Sequence, residues 1–378
     1  MIRRTRVLVG VGLGVSALVL SACAAPTDEG DDTDTGTDGG VNAKTATSAE
    51  DFGGMDELIA AAQEEGELNV IALPPDWANY GEIIDTFADK YDIKVNSQQP
   101  DAASQDEINA ANQLRGTDRA PDVFDLGQSV ALANTDLYAP YKVETWDSIP
   151  DELKDPDGAW VNDYGGYMSI GYDAEQVPEV STLDDLLGSE FRGKVALNGD
   201  PTQAGAAFSG VMMAAIANGG SADDIAPGVD WFGELNDAGN FLPVDPTPAT
   251  IESGQTPVVI DWDYTNAAVT QNLPSWTVVV PEEAVVGGYY FQAINKDAPN
   301  PAAARLWQEF LYSDEGQNLW LKGGARPVRA EAMAEEGTID QELYDALPEV
   351  SGDPVIPSNE QTEKAAQYLN ENWAQAVG

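Results

Sequence analysis

The sequence predicts an α/β fold in two halves, and three observations predict it. Short apolar runs alternate with segments of helical periodicity, extended stretches rich in glycine and aromatic residues lie between two such series, and no internal repeat of fixed period is present. Over residues 55–65, Leu58, Ile59 and Ala62 recur at helical spacing and Gly66 closes the helix. Residues 68–73 read as a buried strand stopped by Pro74 and Pro75. Ile83, Ile84, Phe87 and Tyr91 mark a second helix, after which residues 93–95 return to extended chain. Strand, helix and strand in this order imply a parallel sheet, with ligand contacts beyond the C-terminal end of the first strand, at residues 74–80.

The alternation continues with a helix over 108–114, a strand over 122–126 and a turn at Gly127, Gln128 and Ser129. Residues 160–172, rich in glycine and aromatics, suit an extended crossover between the halves. A strand at 194–197 leads through Asn198, Gly199, Asp200 and Pro201 into a small-residue helix over 205–217. Residues 257–260 form a strong strand that runs into Asp261, Trp262, Asp263 and Tyr264, and 276–280 form another. The segment opening with Gly287, Gly288, Tyr289, Tyr290 and Phe291 ends in a helix over 301–312.

The N-terminus carries Arg3, Arg4 and Arg6, then fourteen residues without charge, then Leu20, Ser21, Ala22 and Cys23. This is the layout of an export leader, too short for a comfortable membrane span. The small residues before the only cysteine of the chain resemble the lipobox of bacterial lipoproteins, which implies a signal peptide at 1–22, lipidation of Cys23 and anchorage to the extracytoplasmic face of the cell membrane. The route, general or twin-arginine, stays open. With one thiol there is no disulfide, so the fold rests on its core. Residues 27–40 hold no apolar side chain, and 23–50 are expected to be a disordered acidic tether.

A formal charge of −47, from 65 acidic against 18 basic residues, excludes nucleic acid as a partner. The chain has no histidine, which removes the Ser-His-Asp and Cys-His arrangements and His-ligated zinc. No Walker-type phosphate loop occurs either.

Asp122, Val123, Phe124 and Asp125 in the third strand, the glycine-rich crossover, the run from Asn295 to Ala304 leading to Ser313, Asp314, Glu315, Gly316 and Gln317, and the late Gly323, Gly324, Ala325 and Arg326 together resemble the solute-binding proteins of ABC importers. The spermidine/putrescine and ferric-iron group is the nearest in pattern, over about residues 67–329. The resemblance implies a two-lobed type II periplasmic-binding-protein fold with two crossover connections and a cleft between lobes. Lobe 1 would be 51–163 plus 290–325, and lobe 2 would be 164–289 plus 326–378. It also implies a monomer that delivers a small molecule to an ABC permease, without a cofactor or bound metal and without catalysis.

In polyamine-binding relatives, aromatic residues after the first strand line the cleft, and Trp77 and Tyr80 resemble them; packing at the helix start is the other role open to them. Asp261, Trp262, Asp263 and Tyr264 stand where α/β sheets place ligand contacts. Strand alternation would turn only one of the two pairs, acidic or aromatic, to the cleft. Gln128, Ser129 and Tyr290 are further candidates. Asp200 and Thr202 precede a helix whose free N–H groups could hold an anion, or serve as an ordinary helix start. Ferric relatives carry a tyrosine pair after the strand matching 258–260, where this chain has one tyrosine, and the acid that polyamine binders carry near 287–292 is missing or replaced by Asp261 or Asp263. The expectation is a small cationic, polyamine-like ligand. Ferric iron or aminoethylphosphonate is the alternative within the class, and a carboxylate-pair glycosidase is the alternative outside it.

Overall fold

The computed structural model describes residues 42–378 apart from 348, 349 and 352. The expected leader at 1–22, the expected lipidation of Cys23 and the expected tether as far as residue 41 lie outside the described residues. Helix α1 (Met55–Glu65) ends at Gly66, whose left-handed backbone lets its N–H reach the Ala62 carbonyl as the chain turns into β1 (Glu67–Ile71). Helix α2 (Tyr80–Tyr91) buries Tyr80, Ile83 and Phe87 and feeds β2 (Lys94–Gln98), which pairs in parallel with β1. Then come α3 (Ser104–Gln113), β3 (Val123–Leu126), α4 (Gln128–Ala133), β4 (Tyr138–Ala139) and the thirteen-residue β5 (Val161–Asp173). The second series holds β6 (Val195–Leu197), α5 (Gly205–Ala217), α6 (Ala226–Asp237), α7 (Pro248–Glu252), β7 (Val258–Trp262), α8 (Asp263–Val269) and β8 (Trp276–Val279). Strand β9 (Gly287–Asn295) is followed by α9 (Pro301–Leu311), α10 (Asp314–Lys322), β10 (Arg326–Pro327), α11 (Ala330–Glu336), α12 (Gln341–Asp345) and α13 (Asn359–Val377).

The sheet is mixed, not parallel throughout. Its order is β3-β9-β5-β7-β6, with β4 on β9 and both β8 and β10 on β5. Only β1 with β2 and β6 with β7 run in parallel. The long strands β5 and β9 connect the two halves and run against the strands beside them. Strand β5 changes partners midway: residues up to Tyr167 pair with β9, and from Met168 onward it pairs with β7 and β8. A register shift between Asn162 and Gly165 bends it at that point. Glycine is required at the crossing, since a Cβ on Gly165 would stand 2.3 Å from the Gly288 carbonyl oxygen.

Helix α9 is buried at every position, and Trp307 and Phe310 pack on Phe87 of α2 at 5.0 and 5.6 Å between ring centroids. Its start is capped by Glu65, whose carboxylate accepts from the N–H groups of Ala302 and Ala303. At the far end of the chain, Trp373 of α13 meets Phe232 of α6 at 5.3 Å. Residues 42–50, read as the end of the tether, are packed on this body: Ala46 and Ala49 are buried. The cause is Arg305, a buried guanidinium that needs acceptors and donates to the carbonyls of Lys44, Ala46 and Pro301.

These contacts separate two glycine substitutions. Gly165→Ala forces a Cβ into backbone and is expected to destabilise the fold by about 2 to 3 kcal/mol. Gly233→Ala lies in α6, where the nearest contact of the new Cβ is 3.6 Å away, and should be stabilising by about 0.5 to 1 kcal/mol. Equilibrium denaturation of both variants measures this, and a neutral Gly165→Ala would remove the close-approach argument.

Candidate functional site

A cavity of about 560 Å³ opens where the segments after β1, β2 and β6 and Asp125 of β3 meet α7, the end of β7 and the helix that follows it. This is the C-terminal side of the parallel pairs, where α/β sheets leave room for a ligand. Its lining carries seven carboxyl side chains, Asp76, Asp101, Glu107, Asp125, Asp245, Glu252 and Asp261, and no lysine or arginine among the described residues. The rest is largely small and apolar, with Ala72, Pro74, Ala103, Ala206, Ile251 and Val259 among the contributors.

Trp77 stands at the mouth of this space on a strained loop. Ala72, Ala78 and Asn79 all have left-handed backbone angles, φ 58°, 45° and 69°, a costly conformation for residues other than glycine that clusters at binding loops. The indole meets the rings of Tyr264 and Tyr290 edge-on at 5.9 and 5.8 Å. Its Nε1–H donates to the Tyr164 hydroxyl at 2.7 Å, and Tyr164 stacks on both Tyr290 and Trp320. An aromatic wall is thus built from five separate segments of the chain.

Behind this wall lies a chain of buried polar groups. The hydroxyls of Tyr80 and Tyr164 both donate to Asp125 Oδ2, at 2.7 and 3.1 Å. Gln292 Nε2 donates to the Tyr80 oxygen and to Asp163 Oδ2, each at 3.0 Å. The Asp125 backbone N–H donates to Glu107 Oε2 at 3.1 Å. Burial pushes the Asp125 carboxyl up to about 7, against the pull of its two tyrosine donors. Asp261 is likewise raised to about 7 by burial although Asn198 Nδ2 and the Trp262 N–H donate to it. Glu107 is raised by burial and by the neighbouring Asp125 charge.

Of the residues singled out from sequence, Trp77, Asp261 and Tyr290 line the cavity. Tyr80 is fully buried as the first residue of α2 and does not line the cavity; it supports the site through its hydroxyl on Asp125 and its ring edge-on to Tyr164 and Trp320. Strand β7 ends at Trp262 and helix α8 begins at Asp263, so the tetrad does not alternate as an extended segment would. Asp261 faces the cavity; Trp262 donates to the Tyr290 hydroxyl, and Tyr264 of the aromatic wall stacks beside Trp262. Asp263 accepts from the N–H groups of Tyr167 and Tyr264 and lies 3.9 Å from Arg326, tying α8 to β5. Gln128 and Ser129 are not among the lining residues, and Gln128 donates to Pro357 and Asn359 at the start of α13. Asp200 and Thr202 are bonded to each other in the turn before α5 and also lie outside the lining.

Sequence reasoning missed Glu107, Asp125 and Thr265 as lining residues. Two of them carried a signal. Glu107 shares the buried stripe of α3 with Ser104, Ile108 and Ala111, and Asp125 sits within a strand that is buried throughout. An acid on an apolar stripe is the informative kind of exception. Among the described residues no cluster of three or more carboxylates is arranged to hold a metal ion, and no helix is long and apolar enough to cross a membrane.

Residues 121–346 match the bacterial extracellular solute-binding protein family. The match spans more than half of the chain, and the chain belongs to that family. It is therefore an extracytoplasmic solute-binding protein of the ABC type, whose partners are a small-molecule ligand and a permease. Solved structures with the same two-lobed type II periplasmic-binding-protein fold include the binding protein AgtB of A. tumefacien R10 in complex with agropinic acid, at 13% identity and TM-score 0.66, covering 82% of this chain and 98% of that one. A spermidine/putrescine ABC transporter protein from Listeria monocytogenes matches at 17% and 0.59, over 82% and 98%. The ferric binding protein of Campylobacter jejuni matches at 19% and 0.61, over 82% and 99%. No curated protein sequence matches the chain. These relatives are substrate-binding transport proteins, and at such identities they establish the fold alone.

The buried acids give the empty protein a defined pH response. Asp122, Asp125, Asp261 and Glu309 are each raised by burial to about 7. A carboxyl raised on folding favours the folded state below its unfolded value near 4 and loses that contribution as pH rises through about 7. The ligand-free protein should melt at a higher temperature at pH 5 than at pH 8, and a melting point that rises over this interval in calorimetry would contradict the burial of these groups in neutral form.

Proposed function

We propose that this protein captures a small cationic amine for an ABC importer. The observation that carries the reading is the lining of the cavity, with seven carboxyl groups and no basic side chain among the described residues. A phosphate or carboxylate ligand would meet repulsion from these groups, while an ammonium is drawn to them. Trp77 adds a ring face for a desolvated cation and apolar surface for methylenes. Lobes of 51–163 with 290–325 and 164–289 with 326–378 would close on the ligand by bending where β5 passes β9, the two strands that join them. Lipid at Cys23 belongs to the same reading: it keeps the receptor beside its permease.

One observation favours a second reading. Helix α5 begins with Ala204 as its N-cap, without a side-chain cap, and Ala204, Gly205 and Ala206 all line the cavity. Uncapped N–H groups at the start of a thirteen-residue helix suit an acidic group, which a zwitterion of the aminoethylphosphonate type would carry beside its amine.

A thermal-shift panel of diamines, polyamines, aminoethylphosphonate, ferric complexes and sugar phosphates tests both. A ligand at a hundred times its Kd should stabilise the fold by about 2.7 kcal/mol. Amines are expected to shift the melting point; a response to sugar phosphate or ferric ion with none to amines would sink the proposal. Trp77→Ala should weaken amine binding by roughly three- to thirtyfold without unfolding the protein, from the ~0.5 to 2 kcal/mol of a cation–π contact. Amine affinity should also fall as pH drops below about 7, because Asp125 and Asp261 must ionise to hold the cation.

A further inference from the structure

This inference rests on the cationic-amine reading and adds a chemical requirement to it. Two buried carboxylates, Asp125 and Asp261, line the same cavity but are satisfied differently. Both oxygens of Asp261 are engaged, Oδ1 by the Trp262 N–H at 2.8 Å and Oδ2 by Asn198 Nδ2 at 2.9 Å. In Asp125 the two tyrosine hydroxyls go to one oxygen, Oδ2. Its Oδ1 is buried with no hydrogen-bond partner among the described residues, although the residue is only 7% exposed. Glu107, which accepts from the Asp125 backbone N–H, is another carboxyl and offers no compensating charge. A buried carboxylate oxygen left without a donor is expensive, and the lining holds no lysine or arginine to pair with its charge.

We propose that Asp125 is the specificity-determining residue of the site: its Oδ1 accepts an N–H from the ligand's ammonium, so the site selects amines that carry N–H over quaternary ammonium ions of equal charge. Coulomb attraction and ring faces act on both kinds of cation. A quaternary nitrogen has no hydrogen to give, and its methyl groups would seal Oδ1 from any other donor. Asp261, already satisfied, contributes charge to either.

Calorimetric titration of the full chain with 1,4-diaminobutane and with its N-methyl, N,N-dimethyl and N,N,N-trimethyl derivatives, methylated at both ends, tests this. Affinity should change little through the dimethyl compound and drop by about tenfold or more at the trimethyl step, where the last N–H is lost. Asp125→Asn should flatten that step, while Asp261→Asn weakens the whole series and keeps it. A gradual decline through the series, or a trimethyl step that persists in folded Asp125→Asn, points to size exclusion and overturns the proposal. Equal affinity for all four overturns it too and leaves the cationic-amine reading standing; no binding by any of the four removes both. The series in the unaltered protein decides the question even where Asp125→Asn does not fold.

Discussion

Fold and site alike depend on how this chain buries carboxylates with almost no cations to pair them. With 65 acids against 18 bases, an interior acid must be held by neutral donors. Asp122 accepts from the backbone of Asn69 and from both the backbone and side chain of Asn300, which binds β1, β3 and the start of α9 into one unit. Glu309 accepts from the Tyr141 hydroxyl and the Glu144 N–H. Asp163 takes the Tyr164 N–H and Gln292. Each arrangement replaces some of the lost hydration but leaves the charge uncompensated, so burial raises these acids toward neutrality instead of ionic pairing lowering them.

The same rule underlies the proposed affinity of the cavity for a cation. A site lined by ionised, paired carboxylates has little left to offer a ligand, because lysine or arginine already occupies the acceptors. Here tyrosine, asparagine and backbone donors position Asp125 and Asp261 without neutralising them. The field is kept in reserve. Its cost is carried by the body of the fold, where the large core around Trp307, Phe310, Phe87 and the α5 and α6 helices supplies the compensating burial.

Much of the fold was legible because apolar periodicity is a local property. Helix α1 runs over Met55–Glu65 and helix α5 over Gly205–Ala217, with the boundaries that the pattern and its glycines indicate. The antiparallel sense of β5 and β9 was not legible, since strand direction is set by which half of the molecule the chain enters next, a non-local choice. Trp77 and Asp261 could be found by their position after apolar strands. Asp125 read as a member of a strand and Glu107 stood just before the helix expected over 108–114, and only tertiary packing turns the acid on each buried face toward a shared space. The break in the Asp261 to Tyr264 tetrad has the same origin: four residues cannot reveal that helix α8 starts within them.

The crossing of β5 and β9 and the wall of the cavity are made of adjacent residues. Tyr164, which holds both Trp77 and Asp125, immediately precedes Gly165 and Gly166, and Tyr290 follows Gly287 and Gly288 after one residue. The glycines let the backbones approach within a distance that no side chain tolerates, and they leave no bulk to resist a change of angle. With the proposed lobe boundaries, a rotation about this point would displace Tyr164 and Asp261 relative to Trp77 and Tyr290. A ligand held between these residues, as proposed, would stabilise one angle at the crossing, because its contacts with both sides would be complete only there. On the proposed reading, binding and lobe position would be coupled through two or three residues of chain, without a longer relay.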